Sequence, residues 1–143
     1  AMAANLVAAR KLGATNSVAS FVVPLGNTIN MNGTAVYMGV CVVFAAQIYG
    51  IDLSLSDQII VVITGVLAAV GTAGVPGAGL IMSTLVFTQI GIPLEVIALI
   101  AGVDRILDMI RTSINVVGDV AAAVIVTKME GDLNSEPYVE GAD

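Results

Sequence analysis

Long apolar stretches dominate this chain, and polar residues interrupt them at definable points. Residues 3–12 predict the end of a helix, with Arg10 and Lys11 in the last turn, where the helix dipole favours cations, and Gly13 closing it. Ser17 to Gly50 is one apolar run whose middle carries Pro24, Gly26, Asn27, Thr28, Asn30, Asn32, Gly33 and Thr34. A polar, glycine-containing break in hydrocarbon is tolerated only where protein or a water-filled cavity satisfies the backbone. Residues 14–50 therefore predict a transmembrane helix unwound at Asn30-Met31-Asn32-Gly33-Thr34.

After a polar connection from Asp52 to Asp57, Gln58 to Val70 has a helical pattern but reaches only about 20 Å, too short to cross a bilayer. The run Gly71-Thr72-Ala73-Gly74-Val75-Pro76-Gly77-Ala78-Gly79 follows, and Leu80 to Ile90 is a second short apolar piece. Two half-length helices around a Gly/Pro tip predict a re-entrant hairpin over residues 57–91. Gly91-Ile92-Pro93 closes it, and Leu94 to Thr127 predicts one long final helix within a segment 94–129, before an acidic tail at 130–143. The fold expected is an all-α membrane protein.

The final helix carries the most informative pattern. Asp104, Asp108, Arg111, Asn115 and Asp119 recur at spacings of four, three, four and four residues, which places them on one face. Ile106, Leu107, Ile110, Ile114 and Val117 lie opposite. Charge inside a membrane helix is expensive and usually functional. A guanidinium, three carboxylates and an amide in one stripe can bind a zwitterionic solute together with a cation; a salt-bridge network that only packs helices is the alternative.

Composition sharpens the picture. Of 143 residues, 57% are hydrophobic and 11% charged, against about a quarter charged in a typical soluble domain. Mean hydropathy is +0.98. The net charge of −6 comes mostly from Glu130, Asp132, Glu136, Glu140 and Asp143 in the last fourteen residues, read as a solvated tail. No basic patch suggests nucleic acid. The absence of His removes the usual zinc ligand and general base, and lone Cys41 offers no disulfide framework. No secretory signal pattern opens the sequence, which begins as if cut from something longer. Arg10 and Lys11 before the first span and Lys128 after the last put both ends in the cytoplasm by the positive-inside tendency.

Each motif admits a chemistry. The glycine-rich run lacks the Gly-Lys-Ser/Thr ending of a nucleotide loop, so it reads as a turn between packed helices or a mobile tip over a ligand. An unwound Asn30–Thr34 frees carbonyl oxygens, hard ligands suited to sodium, unless it is a packing kink. Arg111 can hold a carboxylate bidentately, and Asp108, three residues earlier, can take an ammonium. Asp119 and Asn115 can serve a cation. Arg105 at the stripe's edge offsets the carboxylates, Met31 alone is ordinary core filler, and Tyr37 and Gln47 receive no role.

The Asn30–Thr34 motif, the Gly71–Gly79 run and the Asp104–Asp119 stripe, in that order, resemble the glutamate transporter family of dicarboxylate/amino acid:cation symporters, over about residues 4–129. The resemblance implies part of a mobile elevator transport domain: residues 1–13 as the end of a first re-entrant hairpin, then a broken transmembrane helix, a second hairpin and a last helix. It implies Arg111 on the side-chain carboxylate of aspartate or glutamate with help from Thr34, Asp108 on the amino group, Thr112 and Asn115 completing the site, and Val75 and Gly79 covering it. One sodium would use Gly26, Asn30, Asn115 and Asp119; another would use Thr28, Ala69, Val70 and Thr72, near Met31. The hairpin closing over both would couple ion to substrate.

Further expectations follow from the resemblance: no enzyme activity, no cofactor beyond sodium as coupling ion, a multi-pass cell-membrane location in the lipid bilayer, and homotrimer partners. Asn32 stands where the family usually has Asp, which removes a formal charge from a deeper sodium site and leaves sodium or proton coupling open. The first hairpin's serine-rich tip and six preceding helices are absent, so the chain is expected to be a fragment that does not transport alone. The alternatives are a proton-coupled acidic amino acid or C4-dicarboxylate symporter, a channel lined by the glycine-rich hairpin, and a non-transporting membrane interaction module.

Overall fold

A computed structural model describes residues 1–139; Glu140 and Asp143 of the acidic tail lie outside the described residues. The described residues form seven helices: α1 (Met2–Lys11), α2 (Asn16–Ile29), α3 (Asn32–Tyr49), α4 (Leu55–Val70), α5 (Ala78–Gln89), α6 (Val96–Ala101) and α7 (Asp104–Glu130). They belong to two compact units, one of residues 1–30 and 116–143, the other of residues 31–115. The 27-residue α7 contributes its first half to the second unit and its remainder to the first.

Small side chains build the core of the first unit. Ala9 of α1, Ala14 of the connecting turn, Ala19 and Val23 of α2 and Ala123 of α7 are buried together, with Leu6, Val22, Val120 and Val124 packed around them. Such residues let helix backbones approach closely where lipid-like surroundings offer little hydrophobic drive. Gly13, at φ +95°, turns the chain out of α1, and Thr15 caps α2 by accepting from the Val18 amide at 3.4 Å.

The second unit packs α3, α4, α5 and α6 around a larger core. The buried face of α3 (Tyr37, Met38, Cys41, Val42, Ala45 and Ala46) meets Val61 and Ala68 of α4, Val86 and Phe87 of α5, and Val96 and Ile100 of α6. α4 and α5 pack against each other through the 71–77 turn, where Gly77 sits at φ +79°. The opposite faces stay apolar: Val36 and Val40 on α3, Ile59, Val62, Ile63, Val66 and Leu67 on α4, and Ile106, Met109 and Ile110 on α7 are exposed. A soluble surface does not carry this much contiguous hydrocarbon. Two stretches are long and apolar enough to cross a membrane, residues 16–49 across α2 and α3, and Asp104–Glu130.

Several element boundaries differ from expectation. The interruption expected from Asn30 to Thr34 is confined to Asn30 and Met31, because the amides of Thr34 and Ala35 both bond the Met31 carbonyl and start α3 at once. The single helix expected from Leu94 is divided into α6 and α7. At Gly102 the hydrogen bonding tightens: Val103 N–H bonds the Ile100 carbonyl three residues back, and the helix restarts at Asp104. On α7 Leu107 turns inward onto the α3–α6 core, away from the exposed apolar face assigned to it. α4 starts three residues earlier than Gln58, at Leu55.

Ser54 explains that earlier start. Its hydroxyl accepts from the Asp57 amide at 3.2 Å, while the Asp57 carboxylate accepts from the Ser54 hydroxyl at 2.6 Å and the Ser54 amide at 2.9 Å, a reciprocal capping box. Those donors hold the Asp57 carboxyl below its ordinary pKa, the Ser54 hydroxyl first. A depressed carboxylate pKa stabilises the fold above its unfolded-state value, and the contribution fades as pH falls through the folded value. The first turn of α4 should therefore fray on acidification below the ordinary carboxylate range, and Ser54→Ala should fray it at neutral pH. Amide hydrogen exchange of residues 54–58, corrected for intrinsic rates, measures both; equal protection in variant and parent would contradict the cap.

Candidate functional site

Three elements of the second unit enclose the Arg111 guanidinium, which is 5% exposed. On its own helix, Arg111 Nη2 lies 2.5 Å from Asp108 Oδ1, one turn back, and Nη1 lies 3.6 Å from Asp104 Oδ1. From α3, the Tyr37 ring stacks on the guanidinium at 4.3 Å to the centroid, and its hydroxyl donates to Asp104 Oδ1 at 3.0 Å. From α5, Gly79 comes so close that a β-carbon there would sit 2.8 Å from Arg111 Cζ. Both carboxylates and the ring offset the charge of a group that is costly to bury alone.

One donor is left over. Arg111 Nη1 is buried without a hydrogen-bond acceptor, since Asp104 at 3.6 Å gives attraction but not a hydrogen bond. A charged N–H with no acceptor in a nearly dry site favours an incoming anion. Arg105, 73% exposed, stands 4.0 Å from Asp108 and adds little screening-resistant attraction.

A second polar junction lies one turn further along α7. Asn115 Oδ1 accepts from the Gly33 amide at 2.8 Å, and its Nδ2 donates to Thr34 Oγ1 at 3.1 Å. Gly33 is required here, because a β-carbon would meet the Arg111 carbonyl at 2.5 Å. Thr34 is fully buried. Asn32 is exposed, and its side-chain oxygen folds back onto the Gly33 amide at 3.1 Å.

In the first unit, Asp119 is 1% exposed and accepts from Asn30 Nδ2 at 3.2 Å. Gly26 faces it so closely that any β-carbon would collide with the carboxylate. No cation among the described residues pairs with Asp119. The Asn30 amide is its side-chain partner, and the nearby Gly26 carbonyl accepts from the Asn30 backbone amide at 2.8 Å.

The remaining candidates fall as follows. In the second unit Met31, Ala69 and Thr72 are buried, Val70 is exposed, and the Ala69 carbonyl already accepts from the Thr72 amide at 3.1 Å. Thr72 Oγ1 donates to the Ala68 carbonyl at 2.7 Å. Val75 at the turn and Thr112 on α7 are exposed, and Thr28 is exposed in the first unit. Thr112 follows Arg111 directly, about 100° around the helix from it, so it is turned off the buried stripe. Sequence reasoning left Tyr37 without a role although it holds both Arg111 and Asp104. The signal was its place on one face with Thr34, Met38 and Cys41, at spacings of three, one and three residues.

A family model described as the Sodium:dicarboxylate symporter family matches residues 1–129. The chain belongs to this family. Among curated members, it is 43% identical to a proton/sodium-glutamate symport protein of Bacillus caldotenax over 126 residues, covering 88% of this chain and 30% of that protein. It is 48% identical to a proton/glutamate-aspartate symporter of Escherichia coli (strain K12) over 82% of this chain and 27% of the relative. It is 46% identical to excitatory amino acid transporter 3 of Mus musculus over 78% of this chain and 21% of the relative. The chain thus spans less than a third of these symporter-family relatives.

Two substitutions test the packing of Arg111. Gly79→Ala should destabilise the protein by about 1–3 kcal/mol through overpacking against the guanidinium. Tyr37→Phe should cost roughly 1–2 kcal/mol by removing the donor to buried Asp104 while keeping the stacked ring. Thermal and denaturant unfolding in detergent measure both; no loss in either variant would mean that Arg111 is not held between α3 and α5.

Proposed function

We propose that this chain is the substrate- and ion-binding portion of a secondary active symporter that carries aspartate or glutamate with sodium. The observation that carries this reading is the buried Arg111 Nη1 without an acceptor, flanked by Asp108 and Asp104. A substrate side-chain carboxylate would take that donor, and the substrate ammonium would meet Asp108, so that charges exchange partners instead of being stranded. Arg111 argues for an acidic side chain. Asp108 argues for an amino acid over a plain dicarboxylate, which brings no cationic group. Thr34 and Asn115, already joined to each other, would line the remaining side.

Sodium would bind where Asp119 meets Gly26 and Asn30, and a second ion would use backbone oxygens of Ala69, Val70 and Thr72 near Met31. In this reading α2 and α3 form one broken transmembrane helix, α4 and α5 the re-entrant hairpin expected over 57–91 and starting at Leu55, and α6 with α7 the last span expected over 94–129 and running to Glu130. The 71–77 turn, with Val75 in it and Gly79 just beyond, would close over cargo in a multi-pass, homotrimeric cell-membrane transporter. The chain would be a fragment that binds, while the missing part supplies the scaffold. Relatives named for proton coupling and for proton/sodium coupling, together with Asn32 in place of an acidic residue, support proton coupling as the second reading.

Calorimetry on the parent-length protein decides between them. L-aspartate and L-glutamate should bind only with sodium present, and Arg111→Ala should weaken binding roughly 100-fold or more, the cost of truncating one partner of a buried charge pair. Binding indifferent to sodium and dependent on pH would favour the proton reading. No binding of either amino acid to folded parent would overturn the acidic amino acid assignment.

A further inference from the structure

The acidic segment after α7 is largely exposed, yet it folds back on the α1–α2 turn. Gly131, at φ +86°, turns the chain, and the Asp132 amide returns to the Thr127 carbonyl at 3.1 Å, which closes the end of α7. The Asn134 amide then donates to the Gly13 carbonyl at 2.9 Å, with Asn134 itself at φ 61°. Its side chain lies so close over Gly13 that a β-carbon there would collide with it. Glu136 Oε2 accepts from the Asn16 amide at 2.7 Å, at the start of α2. Tyr138 is half-buried, with Arg10 Cζ and Lys11 Nζ at 5.4 and 5.3 Å from its ring centroid. All of these residues belong to the first unit.

Four kinds of contact thus converge on one turn. A carboxylate meets a first-turn amide of a 14-residue helix, a group with no partner inside its own helix. A backbone bond fixes register, a glycine makes room, and an aromatic ring takes two cations. We propose that the α1–α2 turn is a receptor surface for an acidic, tyrosine-containing extended peptide, and that residues 131–138 occupy it as an intramolecular strap fastening the end of α7 to α1 and α2. The chemistry selects such a peptide: a carboxylate for the helix start and, two residues on, an aromatic for the Arg10–Lys11 pair. Lysine- or serine-rich segments would supply neither.

The strap predicts protection that the helices alone do not give. Hydrogen–deuterium exchange of the parent-length protein should show the 12–18 amides slowed, and Glu136→Ala with Tyr138→Ala should speed them about tenfold, the loss of one charge-assisted hydrogen bond at an exposed helix start. Truncation after Glu130 should do the same. A synthetic peptide of residues 131–139 added to the truncated protein should restore slow exchange, and the same peptide with both alanines should not. Sodium-dependent substrate binding serves as a folding control, since neither Glu136 nor Tyr138 lies among the proposed ligands. Exchange at 12–18 that is equal in parent, double variant and truncated protein would overturn the proposal. Failure of the wild-type peptide to protect would overturn the receptor role.

Discussion

Burying a guanidinium in a helical body whose outer faces are hydrocarbon constrains everything around it. Arg111 is almost fully buried, so its charge is met from α7 by two carboxylates and from α3 by an aromatic face, while α5 must offer a residue without a side chain. Removing one partner from such a cluster typically costs about 3–5 kcal/mol, because the others are left uncompensated. This explains why the second unit packs α3, α5 and α7 tightly at one point and tolerates a plain apolar core elsewhere. The site and the packing problem are the same object.

The first unit meets the opposite problem with fewer means. Asp119 is almost fully buried, yet it has an amide for company and no guanidinium. A buried carboxylate of that kind is satisfied by a proton or by a bound cation. Gly26 is the feature that keeps room for it, just as Gly79 does for Arg111. The paired use of glycine beside an ionic group, once for each sign of charge, gives both units a similar design.

Much of this was legible in the chain before any coordinates. The polar face of α7 follows from spacing, because helical periodicity puts Asp104, Arg111 and Asp119 on one face, and the structure buries all three. The short α4 and α5 follow from apolar length and from the glycine-rich turn. What escaped were features decided by contacts between distant segments. Tyr37 looked like one aromatic in a hydrophobic run, and only the approach of α7 gives it two partners. The break at Gly102 was hidden because Val103, Ile106 and Leu107 continue an unbroken apolar pattern through it. The acidic segment resembled a solvated tail because charge composition carries no record of a helix start waiting for a carboxylate.

The Asn115 amide has a bearing on the order in which the chain takes shape. It completes the first turn of α3 by holding the Gly33 N–H, from a position 82 residues downstream. A ribosome adding about 5–20 residues per second needs roughly 4–16 s to make that stretch. During that interval the Gly33 amide has only the local Asn32 side-chain oxygen to bond, and a glycine weakens the start of α3 further. Biogenesis of the second unit is therefore a waiting game: α3, α4 and α5 can be delivered and paired, but the joint that sets the register between α3 and the polar stripe closes only when α7 emerges.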